Sequence, residues 1–194
     1  MNLPNKLTLL RVFLIPFFLL FMYLDFTGHY TLALVIFAAA SITDALDGKI
    51  ARKYNLVTNF GKFLDPLADK VLVISALTVF VELDCVKMGA IPLIIIIARE
   101  FMVSGLRLLA ADGGVVVAAG IWGKLKTAFT MVTIVGILLW LCLLFDFSLG
   151  MSLDLIDAVN NIVIPALIWI STALTIISGL IYLKGYWHLI DSDK

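Results

Sequence analysis

Apolar residues along this chain come in long unbroken runs near positions 7–24, 31–48, 67–83, 90–109, 125–145 and 162–183. Each is close to the roughly 20 residues a helix needs to cross the hydrocarbon core of a bilayer. The runs do not alternate with the period of two that a membrane barrel strand requires, and strand punctuation is sparse, so they predict helices. The expected fold is all-α and integral to the membrane, with six transmembrane helices forming a single domain over residues 1–194. Residues 1–6 read as a short interfacial lead in which Pro4 and Asn5 delay helix onset and Lys6 anchors at head-group level. Without a small-residue cleavage site after it, the first run is expected to remain as a helix.

Composition agrees with the pattern. At 62% hydrophobic residues, 14% charged residues and a mean hydropathy of +1.10, the chain has too little polar surface to coat a soluble globule of 194 residues. Charge adds orientation. When six helices alternate, every one of the 14 basic residues except Lys87 falls on one face of the membrane. The positive-inside rule makes that face cytoplasmic, with both termini inside. The opposite loops carry Asp25, Glu82, Asp84, Asp146, Asp154 and Asp157, so a net charge of zero conceals strong polarity across the bilayer. The absence of an Arg- and Ser-rich presequence favours a bacterial plasma membrane as the location, with the protein a multi-pass cell-membrane protein. Cys85 and Cys142 read as free thiols. His29 and His188 read as interfacial side chains, and Tyr23, Tyr30, Tyr182, Tyr186 and Trp187 as an aromatic belt.

Chemistry concentrates where two of the runs meet. Asp44-x-x-Asp47-Gly48-x-x-Ala51-Arg52 is followed, after eight residues, by Gly61-x-x-x-Asp65-x-x-x-Asp69. Spacings of three and four residues put each aspartate pair on one helix face, and an antiparallel hairpin presents all four to one point. Two unit charges about 5 Å apart at an effective dielectric of about 20 repel by roughly 3 kcal/mol, so such a cluster asks for cations. Ion pairs with Lys49, Arg52, Lys62 and Lys70 are the purely structural alternative. With no His or Cys nearby, all-oxygen donors favour Mg²⁺, Mn²⁺ or Ca²⁺ over zinc. The small residues Gly48, Ala51 and Gly61 on the same faces leave room for a large ligand, or alternatively permit close helix packing.

The aspartate array resembles the signature of the CDP-alcohol phosphotransferase family, with every defining position filled. The resemblance implies a six-helix membrane fold with the active site on the cytoplasmic side. It implies that Asp44, Asp47, Asp65 and Asp69 hold two divalent cations, Mg²⁺ or Mn²⁺, on the pyrophosphate of a CDP-linked lipid, and that Asp69 is the general base for the acceptor alcohol. CDP-diacylglycerol binding falls by the same resemblance to Gly48, Ala51, Arg52, Thr58 and Gly61, together with Asn5, Thr8 and Arg11 of an amino-terminal motif, Pro4-Asn5-x-x-Thr8-x-x-Arg11. It also implies a homodimer; no nucleic-acid partner is expected.

A second basic group bears on the acceptor. Arg99 interrupts an apolar run about 12 Å farther along its helix than Arg107, at the usual rise of about 1.5 Å per residue. Charge at that depth needs a partner. Glu100, its neighbour, is expected to point to another side of the helix, so an aspartate of the third helix is the structural candidate. The functional reading is an anion pocket made by Arg99, Arg107, Lys124 and Lys126, suited to an acceptor that already carries phosphate. The stretches Ala98–Arg107 and Trp122–Thr127 also resemble the branch of the family that makes phosphatidylglycerol phosphate, which implies sn-glycerol 3-phosphate as acceptor. Branches that use inositol phosphate, serine or phosphatidylglycerol stay open, as does a divalent-cation transporter. A transporter would need polar groups reaching both faces, whereas the second and third helices become plainly apolar towards the outside.

Overall fold

The computed structural model describes residues 2–53, 59–112, 120–147 and 149–187. Among them every long element is a helix: α1 (Leu3–Tyr23), α2 (His29–Lys53), α3 (Asn59–Glu82), α4 (Ala90–Asp112), α5 (Ile121–Leu141) and α7 (Ile164–Tyr186). A π-turn, Cys142–Asp146, prolongs α5; a short helix α6 (Leu153–Ala158) and a second π-turn, Val159–Val163, lead into α7. Each long helix sits on one of the six predicted runs. The start of α1 differs from expectation, because the helix begins at Leu3 rather than after Lys6. Pro4 lies within the first turn, where its missing amide proton had no intrahelical acceptor, so it opens the helix instead of delaying it.

The distribution of side chains is that of a protein solvated by lipid. Phe13, Leu108, Ile121, Leu153 and Trp169 are all exposed, whereas Thr8, Arg11, Arg99, Lys126, Thr130, Thr172, Thr175 and Ser178 are buried. In α7 one face, Ser171, Thr175, Ser178 and Tyr182, is buried while Ile170, Ile177, Leu180 and Ile181 look outward. Among the described residues, three stretches are long and apolar enough to cross a membrane by themselves: Asn5–Tyr23, Ile121–Asp146 and Leu153–Tyr186.

Side-chain bonds distinguish the two ends of the bundle. At one end Tyr23 of α1 donates to Glu82 Oε2 of α3 (2.6 Å), and Trp140 Nε1 of α5 donates to Asn160 Oδ1 (2.7 Å). At the other end Arg11 of α1 reaches Asp44 of α2, and Arg107 of α4 reaches Tyr182 of α7. The late part of α1 therefore lies with the late part of α3, the early part of α1 with the late part of α2, and the late part of α4 with the late part of α7, so α1, α3 and α5 run one way and α2, α4 and α7 the other. Between the two ends lies an apolar core, with Ile15 and Phe18 of α1, Ala33 and Phe37 of α2, Leu72, Ala76 and Phe80 of α3, and Ile134 and Leu138 of α5. The rings of Phe18 and Phe37 pack at a tilt of 55° with centroids 5.6 Å apart, joining α1 to α2.

Candidate active site

Asn5, Thr8 and Arg11 recur every three residues, so they share one face of α1, and all three are buried against the bundle. Arg11 is 0% exposed, and its Nη1 lies 2.7 Å from Asp44 Oδ1. A fully buried guanidinium is costly without a counter-charge, which ties the amino-terminal motif to the aspartate array. Asp44 itself is 42% exposed on its side chain, so the carboxylate remains open to a ligand while Arg11 holds it.

Among the described residues, Asp44, Arg11, Glu100 and Lys126 are the charges that act on Asp69 of α3. Asp69 thus stands at the junction of the aspartate array and the basic group on α4 and α5. The side chains of Asp47, Gly48, Ala51, Arg52, Gly61 and Asp65 lie outside the described residues, as does Thr58 altogether; the helices that carry the first six, α2 and α3, are in place. Asp47 follows Asp44, and Asp69 follows Asp65, by one turn of continuous helix. Among the described residues no three acidic, His or Cys side chains gather into a metal-binding group. The donors present nevertheless fit a hard cation: Asp44 and Asp69 repel across the helix pair, both offer carboxylate oxygens, and Arg11 pairs with Asp44 alone.

Beside Asp69 opens a cavity of about 550 Å³ lined by Asp69 and Lys70 of α3, Arg99, Glu100, Val103, Ser104 and Arg107 of α4, and Gly123, Lys124, Thr127 and Ala128 of α5. Three of the four predicted acceptor cations therefore share one chamber with the predicted base. Arg107 and Lys124 are exposed at its mouth. Arg99 and Lys126 are buried, at 9% and 4% exposure. Lys126 lies on the wall of a small adjoining void of about 30 Å³ that also touches Asp69, Glu100 and Thr130.

Glu100 corrects the expectation for Arg99. Among the described residues the counter-ion is this sequence neighbour, and Asp69 of α3 is not paired with Arg99. Arg99 Nη1 donates to Glu100 Oε1 at 3.0 Å, and Lys126 Nζ binds the same oxygen. Adjacent positions on a helix diverge by about 100°, but the long Arg99 side chain bends back to close that angle. Its Nη2 donates to Ser178 Oγ of α7 at 2.6 Å. Tyr182 corrects a second expectation: at 4% exposure it is no part of an interfacial belt. Its ring receives Arg99 and Arg107 at 5.7 and 5.5 Å from its centroid, and its hydroxyl accepts from Arg107 Nη2 (2.9 Å) and Gly120 N (3.3 Å). Glu100, Ser178 and Tyr182 were thus missed from sequence. The signal for Ser178 and Tyr182 was their four-residue spacing on a face with Ser171 and Thr175. Cys85 and Cys142 are free, as expected.

This geometry can be set against known proteins. Residues 1–177 match the family model described as CDP-alcohol phosphatidyltransferase. The chain belongs to that family. Within the CDP-alcohol phosphatidyltransferases it is 41% identical to a Bacillus subtilis (strain 168) protein over 206 aligned positions, covering 100% of this chain and 99% of the relative. A Rickettsia typhi relative is 42% identical over 184 positions, covering 95% of this chain and 96% of its own, and one from Pseudomonas fluorescens is 38% identical over 203 positions, covering 100% and 94%. All three are named CDP-diacylglycerol–glycerol-3-phosphate 3-phosphatidyltransferase. The matched residues include the aspartate array, the Arg11–Asp44 pair and the lining of the basic chamber.

Proposed function

We propose that this phosphatidyltransferase moves the phosphatidyl group of CDP-diacylglycerol to the primary hydroxyl of sn-glycerol 3-phosphate, giving phosphatidylglycerol phosphate and CMP. The observation that carries the acceptor is the chamber, in which Asp69 shares one cavity with Arg99, Arg107 and Lys124. Relatives of near-equal length carrying that name support the same reaction.

Asp44, Asp47, Asp65 and Asp69 would hold the two divalent cations, Mg²⁺ or Mn²⁺. Those ions, when bound, neutralise the pyrophosphate and the charge developing on the leaving oxygen. Arg11, with Asn5 and Thr8 on the same buried face, flanks Asp44 and supports the reading that this motif borders the nucleotide, alongside Gly48, Ala51, Arg52, Thr58 and Gly61. At the acceptor end, Arg107 and Lys124 hold the phosphate at the chamber mouth, while Arg99 and Lys126 shape the floor. The acceptor hydroxyl passes its proton to Asp69, its oxygen bonds to the lipid-bearing phosphorus, and the bridging oxygen departs with CMP. Catalysis of this kind is mostly positioning and charge neutralisation.

All six long helices are 21 to 25 residues. At about 1.5 Å per residue each exceeds the roughly 30 Å hydrocarbon thickness, which supports six spans in a single domain of a multi-pass plasma-membrane enzyme. The gathering of Lys and Arg on one side supports both termini in the cytoplasm, and the family resemblance implies a homodimer.

CMP release by purified protein in detergent tests the reaction, with CDP-diacylglycerol, Mg²⁺ or Mn²⁺, and sn-glycerol 3-phosphate, inositol phosphate, serine or phosphatidylglycerol offered in turn. Turnover with sn-glycerol 3-phosphate alone is the expected result, and exclusive use of another acceptor would sink the assignment. Asp44→Asn is expected to lower the rate by at least about 100-fold with the helical circular dichroism unchanged, and chelation of divalent cations to stop it.

A further inference from the structure

A carboxylate in the wall of an anion pocket opposes the anion unless the ligand brings a donor for it. Glu100 is such a carboxylate. Its Oε1 takes both Arg99 Nη1 and Lys126 Nζ, whereas Oε2 has no hydrogen-bond partner among the described residues. Glu100 lines the chamber of about 550 Å³ and also the small void beside it, each time together with Asp69. Its backbone carbonyl accepts from Ser104 Oγ at 2.7 Å, and that hydroxyl in turn accepts from Lys70 Nζ, so neighbours on α3, α4 and α5 hold it in place.

The order of groups along the chamber wall is equally informative. Arg107 lies seven residues beyond Glu100, almost exactly two turns of α4, so the two share a face about 10 Å apart along the axis. Arg107 and Lys124 are exposed at the mouth, and Glu100 is at the depth of buried Arg99 and Lys126. A ligand with phosphate at the mouth and its reacting hydroxyl at Asp69 therefore passes its middle carbon along Glu100. A phosphate dianion clamped by Arg107 and Lys124 cannot serve Oε2, since like charges repel and neither side has a proton to give. An alcohol on that middle carbon can.

Building on the acceptor assigned above, we propose that Glu100 determines specificity by accepting, through Oε2, a hydrogen bond from the free secondary hydroxyl of a polyol phosphate. Arg99 and Lys126 neutralise the carboxylate and fix its rotamer, so these two buried cations serve the acceptor chiefly through Glu100. The enzyme thereby recognises the carbon skeleton as well as its phosphate.

The test compares kcat/KM for sn-glycerol 3-phosphate with that for 3-hydroxypropyl phosphate, which keeps the primary hydroxyl and the phosphate but lacks the secondary hydroxyl. It uses the full-length enzyme in detergent with CDP-diacylglycerol and Mg²⁺. Wild type is expected to prefer the natural acceptor by roughly 10- to 100-fold, the range for a hydrogen bond to a charged group. Glu100→Ala should bring that preference to within about threefold of unity. Glu100→Asp keeps the charge for Arg99 and Lys126 but withdraws the oxygens by one methylene; it should cut the preference at least fivefold and decides the matter if the alanine variant does not fold. The preference is a ratio within one preparation, so a loss of folded protein or a purely structural role leaves it unmoved. An undiminished preference in the variants overturns the proposal, as does a wild type that uses both acceptors equally while still making phosphatidylglycerol phosphate. A wild type inert towards sn-glycerol 3-phosphate overturns the acceptor assignment and this proposal with it.

Discussion

Arg99 shows how one buried charge is made tolerable by several modest contacts: an ion pair with Glu100, a bond to Ser178, the face of Tyr182, and an aliphatic stem against Gly179. A Cβ at position 179 would meet Arg99 Cγ at 3.0 Å, so glycine lets α7 approach the arginine without displacing its stem. Tyr182 does the corresponding work for Arg107, as both ring partner and hydrogen-bond acceptor. Tyr182→Phe keeps the ring and removes the acceptor; it is expected to raise KM for sn-glycerol 3-phosphate about 5- to 10-fold while kcat and KM for CDP-diacylglycerol stay within twofold. Steady-state kinetics with each substrate varied in turn checks this, and equal effects on both substrates would detach Tyr182 from the acceptor chamber.

Elements are placed by polar bonds at their ends as much as by apolar packing. The start of α2 is the clearest case: Asp146, in the π-turn that prolongs α5, accepts from Gly28 N (3.2 Å), Thr31 N (2.6 Å) and Thr31 Oγ1 (2.7 Å). A carboxylate borrowed from another helix satisfies the first amides of α2 and meets the positive end of its dipole. Gly28 turns the chain into the helix with φ of +96°, a conformation that costs glycine little. Asp146→Ala should lose about 1–2 kcal/mol, as loss of a helix cap does, and lower Tm in detergent by several degrees. Because Asp146 lies at the end of the bundle away from Asp69, kcat per folded molecule is expected to stay at the wild-type value. Thermal unfolding by circular dichroism, with activity measured on the same sample, tests both halves of that expectation.

At the scale of the whole molecule, chemistry is confined to one end. Arg11, Asp44, Asp69, Glu100, Arg107 and Lys126 gather there, while Glu82, Asp146 and Lys87 mark the other. Sidedness follows: in right-side-out vesicles, a membrane-impermeant thiol reagent is expected to label Lys87→Cys but not Lys124→Cys in a Cys85→Ser, Cys142→Ser background, with the pattern reversed in inverted vesicles. Labelling of both from one side would refute alternating spans. The six long helices were legible in the sequence because each coincides with a long apolar run without period-two alternation, a purely local pattern. The aspartate array was legible because it is compact along the chain and its spacing matches a helix turn. Tertiary structure alone decided how Arg99 is neutralised, that Tyr182 faces inward, and that Asp69 opens onto the basic chamber. Those outcomes depend on contacts between α4, α5 and α7 made by residues up to some 80 positions apart, and on long side chains that bend away from the direction their helix position suggests. Periodicity states which face of a helix is polar; only the packing of the other helices states what that face meets.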